Sequence, residues 1–486
     1  MMSGGLCAVR LAGLDRAKHH SPRFLTSNDQ DCANFDRPGG SGQPRRVTLA
    51  CVGTGYVRIP EGWVSRRPLS RLVLTATTTE ARVTTMNSSN GSTTDNADPV
   101  WHAGWSTAVQ RPSTGFDKNW SEEGFADQTV RQIVRVTGSG TAARVRLSNR
   151  FGTTPLEVGG ATLARTDQGA VVQDGTTRPL TFSGAASVRI PAGGEVWSDA
   201  AALPVAPFDH LTVSLYFPRP TGPTAFHAQA FTTAYRAEGD QLTAADPAVF
   251  TETSVSWYVL ADIELADGGP ARRDTVVTFG DSITDGFAST TDADHRYPDA
   301  LAERLAAAGR ARPVLNAGIG GNLLLNDAPW FGERAGARFR RDVLDKAGVR
   351  TVIVLAGLND IGFSEADETR FPTYRPNPDL SAAQLIEGYR GLIAAAHAAG
   401  VRVIGGTITP FQGSEYHTPH AEAKRQEINT WIRTSGAFDA VADFATALSD
   451  PSNPQSLLPA YDSGDRKHPG DAGYRVMAGV IDLAWL

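Results

Sequence analysis

The pattern of apolar residues changes at Gly268-Gly269-Pro270, and this change separates two kinds of structure. Before it, from Trp101 to about Glu264, short runs of alternating apolar and polar residues are separated by glycine and proline turns, which is typical of antiparallel strands. After it, short apolar runs alternate with helical patterns, which predicts a parallel sheet with helices on both faces. We therefore expect two folded regions of different class within the 486 residues.

The first region, residues 100–268, is predicted to be an antiparallel β-sandwich or jelly roll. Glycine and proline recur in it at the short spacings of such folds. Its expected strands are Val130–Val136, Ala143–Leu147, Ala161–Arg165, Ala186–Ile190, Leu211–Phe217 and Ser256–Ile263. Two uses are open for its tryptophans, a carbohydrate-binding surface or, more commonly in sandwiches, the core. These residues are Trp101, Trp105, Trp120, Trp197 and Trp257.

The second region, residues 272–486, is predicted to be a doubly wound, flavodoxin-like parallel sheet. Thr351–Ala356 is a continuous apolar run, which suits a central strand buried on both faces. Ser381 is a predicted helix N-cap, and Gly400 marks the end of the same helix. The other expected strands are Thr275–Phe279, Val314–Asn316, Val401–Ile408 and Ala440–Phe444, and the other helices are Pro298–Ala308, His420–Arg433 and one from Asp471. In such a sheet the site lies at the carboxyl ends of the strands.

Residues that could act together, as a nucleophile and as hydrogen-bond donors to an oxyanion, follow three of these strands. Ser282 lies in a strand-to-helix turn, where its hydroxyl can face a cleft and its N–H can point at an oxyanion. Gly321 offers an unobstructed N–H, and Asn359 offers a carboxamide that donates without a charge. Near the C-terminus, Asp465 can accept from one ring nitrogen of His468 and leave the other free to take a serine proton. Each motif alone is weak, but their order at successive strand ends predicts one site.

These residues, in this order, resemble the SGNH hydrolases, also called the GDSL esterase and lipase family, over about residues 272–486. The resemblance implies a nucleophile, a general base and acid, and an orienting carboxylate, which are Ser282, His468 and Asp465. It also implies an oxyanion hole made of two backbone N–H groups and one side chain, which are Ser282 N–H, Gly321 N–H and the Asn359 carboxamide. Ile283 replaces the leucine of the family's name motif, which is a common variation.

A looser resemblance concerns the sandwich. The runs Arg131–Val136 and Leu147–Gly152 are similar to bacterial two-domain SGNH proteins grouped with acetyl-xylan esterase-like enzymes. The resemblance implies an accessory sandwich ahead of the hydrolase domain. Relatives of this kind are usually exported, whereas no signal-peptide pattern is visible here, so the compartment stays undefined.

The resemblance implies a serine esterase that hydrolyses carboxylic esters through an acyl-serine intermediate, with short acyl or acetyl esters, including esters of carbohydrates, as substrates. The alternatives are a lysophospholipase or thioesterase of the same fold, and a catalytically inactive glycan-binding protein. Neither a cofactor nor a metal is expected, because His417 and His420 lack ligands at the usual spacing of zinc sites. Leu323–Ala337 and Ile361–Pro378 are expected to line the mouth of the cleft.

Charge and hydropathy exclude two classes of partner. The net charge of −6 gives no overall attraction to phosphate backbones or anionic lipids, so nucleic acid is not an expected partner. No run approaches 18 apolar residues, so no membrane span is expected. The expected partner is a small-molecule or glycan ester, and the sequence does not define the oligomeric state.

The first 85 residues differ from the rest in charge. They carry 12 Lys and Arg against 6 Asp and Glu, whereas the remaining residues carry 34 against 46. They also contain all three cysteines, which follow no disulfide or zinc pattern. Residues 1–99 are therefore expected to form a basic, disordered extension. Met86 precedes a polar stretch and is an alternative start, in which case residues 1–85 would not belong to the natural protein.

Overall fold

The computed structural model describes residues 50–52, 55–57, 99–375 and 377–486. Strands β1 (Ala50–Val52) and β2 (Gly55–Val57) form an antiparallel pair within one unit, Met1–Ser92, and Thr93–Leu486 forms the other. The rest of the predicted extension and the alternative start at Met86 lie outside the described residues, so both stay predictions.

Antiparallel sheets form the described residues from 99 to 268, as the alternating pattern predicts. The strands are β3 (His102–Ser106), β4 (Gln128–Arg135), β5 (Gly140–Ser148), β6 (Leu156–Val158), β7 (Gly160–Gln168), β8 (Val171–Val172), β9 (Arg178–Leu180), β10 (Val188–Ile190), β11 (Glu195–Trp197), β12 (Ala201–Val205), β13 (His210–Phe217), β14 (Phe226–His227), β15 (Ala234–Glu238), β16 (Glu252–Ser254), β17 (Trp257–Tyr258) and β18 (Leu260–Ala266). One sheet has the order β11-β5-β18-β3, with β12 beside β5. The other has the order β16-β15-β4-β13-β7-β8, with β9 beside β7, and separate pairs join β10 to β6 and β14 to β17.

Side chains from both sheets share one core, which makes the two sheets a sandwich. Val145 and Leu147 of β5 and Val213 and Leu215 of β13 are fully buried in this core. Arg146, between the two apolar residues of β5, is only half-buried. This alternation is the period-two pattern from which the strand is predicted.

One predicted strand is divided in two. The expected run Ser256–Ile263 is β17 followed by β18, because Val259 adopts a φ of 61°, in the left-handed region. A β-branched residue is strained in that conformation, so no propensity argument predicts the break.

The sandwich tryptophans serve mainly as core residues. Trp105, Trp120 and Trp257 are buried. Trp101 and Trp197 are half-buried, and the Arg144 guanidinium lies 4.4 Å and 4.5 Å from their ring centroids. Of the two expected uses, core packing and carbohydrate binding, core packing therefore describes most of these tryptophans.

A parallel sheet with helices follows, as predicted. Its strands are β19 (Thr275–Gly280), β20 (Val314–Gly318), β21 (Val349–Leu355), β22 (Arg402–Gly406) and β23 (Ala440–Ala442), and β24 (Ser449–Asp450) and β25 (Asn453–Leu457) form a separate antiparallel pair. The helices are α1 (Ser282–Asp285), α2 (Tyr297–Ala307), α3 (Ala335–Phe339), α4 (Leu358–Glu365), α5 (Ala382–Ala398), α6 (Pro419–Thr434), α7 (Phe444–Leu448) and α8 (Asp471–Val480). The strand order β20-β19-β21-β22-β23 is that of flavodoxin-like folds, whose sites lie beyond the carboxyl ends of the strands at the switch point beside β19.

Local sequence explains the helix ends. Ser381 accepts a hydrogen bond from the Gln384 N–H, and the Gln384 side chain accepts one from the Ser381 N–H, so α5 starts with a capping box. The helix ends before Gly400, whose φ is 67°. Among the described helices, none has the length and apolar character needed to cross a membrane.

Several boundaries differ from prediction by a few residues, and two of these differences have a clear local cause. The expected strand Ala440–Phe444 ends at Ala442, because the Asp443 side chain accepts from the Thr446 N–H and starts α7. The expected cleft loop Ile361–Pro378 begins inside α4. This helix lacks a side-chain N-cap, since its N-cap is Gly357 at φ 94°, so the usual start signal is missing.

Candidate active site

Three of the predicted site residues meet beyond the carboxyl end of β19. Ser282 is the first residue of α1, and its Oγ lies 2.7 Å from Nε2 of His468. Nδ1 of His468 lies 2.5 Å from Oδ2 of Asp465, and the other Asp465 oxygen accepts from the His468 N–H at 2.9 Å. The imidazole is thus held by the carboxylate on one side and faces the serine hydroxyl on the other.

The surroundings of His468 keep its ring neutral. Burial lowers the pKa of His468, and the hydrogen bond and charge of Asp465 offset only part of that effect, so the pKa lies below its ordinary value. Burial alone would raise the pKa of Asp465, but hydrogen bonds from His468 and Lys467 hold that pKa well below its usual range. The Phe287 ring packs on the imidazole with a centroid distance of 4.3 Å.

Gly321 lies in the turn after β20, where only glycine fits. Its φ is 70°, and a Cβ at this position would stand 2.3 Å from Cδ1 of Phe331. The neighbouring Gly320 N–H donates to Oδ2 of Asp285 at 3.0 Å, which fixes the turn against α1.

Asn359 lies in the first turn of α4, and its carboxamide has a defined orientation. Tyr416 donates its hydroxyl to Oδ1 of Asn359 at 3.1 Å, while Nδ2 donates to the Asn322 carbonyl at 3.1 Å. Since Nδ2 carries two N–H bonds and makes one hydrogen bond to the described residues, its second N–H is left for a ligand.

All five predicted site residues line one pocket. The space that they enclose is about 460 Å³, a volume that includes space open to solvent. The other lining residues are Phe116, Gln229, Phe287, Phe331, Phe363, Tyr374, Tyr416 and Lys467.

The two expected mouth segments contribute only part of this wall. Phe331, Phe363 and Tyr374 line the pocket. Phe371 lies behind Tyr374, with stacked rings 5.1 Å apart. Trp330 packs against the core of the parallel-sheet region instead.

Arg338 is a buried site residue that the sequence did not indicate. Its guanidinium donates to the carbonyls of Gly280 and Ala317, each at 2.8 Å, and to Oδ1 of Asn322 at 3.0 Å. It thereby joins the ends of β19 and β20 to the turn that carries Gly321. Burial lowers the pKa of Arg338 to about 10, so it stays charged at neutral pH. The helix that carries it, α3, lies in a stretch that was expected to be a loop.

Two buried carboxyl groups lie beneath the site. Asp281 accepts from the Ile283 N–H at 3.1 Å, and burial raises its pKa to about 7. Asp360 accepts from the N–H groups of Leu324 and Leu325 at 2.7 Å and 3.2 Å, and burial raises its pKa to about 6. Both side chains stabilise turns next to the pocket.

The sandwich contacts this site through His227. Nδ1 of His227 lies 3.0 Å from the Ala108 carbonyl oxygen, and Nε2 lies 2.9 Å from Oδ1 of Asp285. Burial lowers the pKa of His227, but the charge and hydrogen bond of Asp285 outweigh burial and raise it overall. Since the other Asp285 oxygen accepts from Gly320, a continuous chain of hydrogen bonds leads from β14 to the turn of Gly321.

A group of possible metal ligands lies elsewhere. Glu365, Asp379 and His420 hold ligand atoms within 4.8 Å of one another. The Lys424 ammonium contacts Asp379 and lies 3.9 Å from Glu365. A cation of the chain itself therefore compensates these carboxylates, and the group is an ion-pair network. The sequence gave no sign of this group, because Glu365 and Asp379 are distant from His420 along the chain.

Residues 278–476 match the model of the GDSL-like Lipase/Acylhydrolase family. For this part of the chain, the match confirms the resemblance found in its motifs. All five predicted site residues lie inside the matched range. The match begins after the sandwich, so the looser resemblance to two-domain enzymes stays a prediction.

Solved structures also match part of the chain. One is an acetylxylan esterase from Geobacillus stearothermophilus, 20% identical, with 43% of this chain and 93% of that chain covered and a TM-score of 0.33. Another is a GDSL-like lipase from Bacteroides thetaiotaomicron, 19% identical, with 44% and 87% covered and a TM-score of 0.32. At these scores the likeness supports no conclusion about function. A comparison with curated proteins found no match.

Proposed function

We propose that the chain is a serine esterase that hydrolyses carboxylic esters with short acyl groups through an acyl-serine intermediate. One observation carries this proposal: Ser282 Oγ lies 2.7 Å from the imidazole of His468, whose other nitrogen is bound by Asp465. A hydroxyl beside an oriented, neutral imidazole is the arrangement that nucleophilic acyl transfer requires.

Acylation begins at the hydroxyl of Ser282. Its Oγ attacks the ester carbonyl carbon while Nε2 of His468 accepts the proton. Asp465 stays ionised and stabilises the imidazolium that forms. The carbonyl oxygen becomes an oxyanion, to which the N–H groups of Ser282 and Gly321 and the amide of Asn359 donate. The alcohol then leaves with the proton from His468.

Deacylation repeats these steps with water. His468 removes a proton from a water molecule, which attacks the acyl-serine, and the same three donors hold the second oxyanion. Collapse releases the acid and returns the proton to Ser282. Burial lowers the pKa of His468, which favours the neutral base at neutral pH.

The aromatic wall favours a short acyl group. Phe363 and Tyr374 stack with a centroid distance of 4.0 Å, and Phe331 lies 5.2 Å from Phe363. These packed rings close one side of the pocket. A lysophospholipase or thioesterase would need room for a long chain, so hydrolysis of p-nitrophenyl esters from acetyl to palmitoyl separates the alternatives. We expect activity to fall steeply as the acyl chain lengthens.

Labelling with a fluorophosphonate probe tests the mechanism. The probe should modify Ser282 in the wild-type chain, as located by peptide mass spectrometry, and Ser282→Ala should lose both labelling and about 10⁶-fold in kcat. Ser289→Ala, a substitution of another buried serine near α1, is the matched control and should remain labelled. Wild-type ester hydrolysis by Ser282→Ala would contradict the proposal. A catalytically inactive glycan-binding protein would not be labelled at Ser282.

A further inference from the structure

Two side chains of the sandwich, Phe116 and Gln229, form part of the pocket wall beside Ser282. Gln229 lies between β14 and β15 and is only 1% exposed. Neither its Oε1 nor its Nε2 has a hydrogen-bond partner among the described residues. A buried carboxamide without partners is costly, so its presence at a pocket needs an explanation.

Gln229 packs directly on the turn that precedes Gly321. A Cβ at Gly320 would stand 1.9 Å from Oε1 of Gln229 and 3.0 Å from Cε2 of Phe116. The absence of a side chain at Gly320 is therefore what lets both sandwich residues reach this part of the pocket.

The backbone around Gln229 is fixed. The Ala228 N–H donates to Oε1 of Gln110 at 2.9 Å, and the Ala230 N–H donates to the Val255 carbonyl at 2.8 Å. His227, two residues earlier, is held by Asp285. The carboxamide is thus presented to the pocket by a rigid segment, as a binding group requires.

Phe116 adds an exposed aromatic surface. It is 43% exposed, and among the described residues it is the one large apolar side chain that is classed as exposed. Its ring centroid lies 5.5 Å from that of Phe331 in the pocket wall. An aromatic face next to an unpaired donor and acceptor fits a ligand that has both an apolar face and hydroxyl groups.

We propose that Gln229 and Phe116 bind the substrate, and that the substrate is an ester whose alcohol part is a sugar or similar polyol. This inference rests on the proposed esterase function. The carboxamide of Gln229 pairs with a sugar hydroxyl, which is itself both donor and acceptor, and Phe116 packs against the C–H face of the ring. The sandwich is then part of the substrate site and not a separate binding module.

The test compares two acetyl esters in the full chain, p-nitrophenyl acetate and a monoacetylated methyl glycoside. Gln229→Met keeps the side-chain length and removes the amide. We expect it to lower kcat/KM for the glycoside about 10-fold, mainly through KM, and to change kcat/KM for p-nitrophenyl acetate by less than about 3-fold. Phe116→Ala should lower kcat/KM for the glycoside in the same selective way. Gln168→Met, the same change on the exposed end of β7, is the matched control and should alter neither.

A purely structural role predicts a different result. In that case Gln229→Met would lower the rate on both esters equally and reduce the thermal midpoint. Under the proposal the midpoint is unchanged or raised, because an unpaired buried amide is removed. Equal losses on both esters, no loss on either, or a wild-type chain that hydrolyses p-nitrophenyl acetate but not the glycoside would each overturn the inference.

A binding measurement separates this inference from the proposed function. If the wild-type chain hydrolyses neither ester, the esterase proposal fails. Saturation-transfer NMR of the monoacetylated methyl glycoside with Ser282→Ala and with Ser282→Ala/Gln229→Met still decides the role of Gln229. We expect binding to the first variant and a weaker signal with the second, whereas equal signals or none with either would overturn the inference.

Discussion

The two sides of the pocket differ in how their polar groups are satisfied. On the side formed by the parallel sheet, His468 is bonded to Ser282 and Asp465, and Asn359 is bonded to Tyr416. On the sandwich side, Gln229 has no partner among the described residues. Paired groups are preorganised for a reaction, whereas an unpaired group keeps its hydrogen-bonding capacity for a ligand. The difference fits the division that we propose, in which one wall carries the chemistry and the other wall binds the substrate.

The largest effect is expected for Asp465→Asn, because this substitution removes the carboxylate that is proposed to orient His468. The amide cannot hold His468 in the tautomer that accepts the serine proton, so kcat should fall about 10⁴-fold. Steady-state kinetics on both acetyl esters measures this, with circular dichroism to confirm folding. The loss should be the same for both esters, unlike that of Gln229→Met. A loss below about 10-fold would show that Asp465 does not orient the base.

A smaller effect is expected for Asn359→Ala, which removes one oxyanion donor and leaves the triad in place. Here kcat should fall about 10²- to 10³-fold with little change in KM. Asn453→Ala, at an exposed position on β25, is the matched control. If KM rises while kcat is kept, Asn359 contributes to substrate binding, and the division between the two walls would need revision.

The smallest effect is expected for Asp281→Asn and concerns stability. The folded protein keeps this carboxyl protonated up to about pH 7, whereas the unfolded chain loses the proton near pH 4. The folded state therefore binds more protons between these values, and the free energy of unfolding falls as pH rises through the window. The amide cannot titrate, so the variant should reduce this slope by up to about 1.4 kcal/mol per pH unit.

Urea unfolding at several pH values measures the slope for Asp281→Asn. Asp360 has a raised pKa as well, so part of the slope should remain in the variant. Asp345→Asn, at an exposed position, is the control and should leave the slope unchanged. An identical slope in wild type and Asp281→Asn would mean that Asp281 is already ionised in the folded state.

The grouping of the proposed catalytic residues could be predicted because it follows from strand topology. Ser282, Gly321 and Asn359 each come just after a parallel strand, and the carboxyl ends of parallel strands share one edge of the sheet. The three-residue spacing of Asp465 and His468 added the base, although His468 and Ser282 lie 186 residues apart. Their roles in catalysis stay predictions until the variants above are measured.

The sandwich side could not be predicted, because it depends on packing between distant segments. A loop glutamine such as Gln229 has no periodic pattern, and its loss of hydrogen-bond partners exists only in the folded chain. The sequence offered tryptophans as candidate sugar-binding residues, with the core as their commoner use, yet the aromatic side chain that the sandwich contributes to the pocket wall is Phe116. Arg338 was missed for a related reason, since its helix carries no side-chain N-cap signal.

The hydrogen bond between His227 and Asp285 limits how freely the two regions can be exchanged. A chain that joined this catalytic region to an unrelated sandwich would bury Asp285 without its partner, which costs about 3–5 kcal/mol for a buried charged pair. It would also lose one wall of the pocket. A substitution on either side of this contact therefore changes the environment of a buried residue on the other side, although the two regions have unrelated folds.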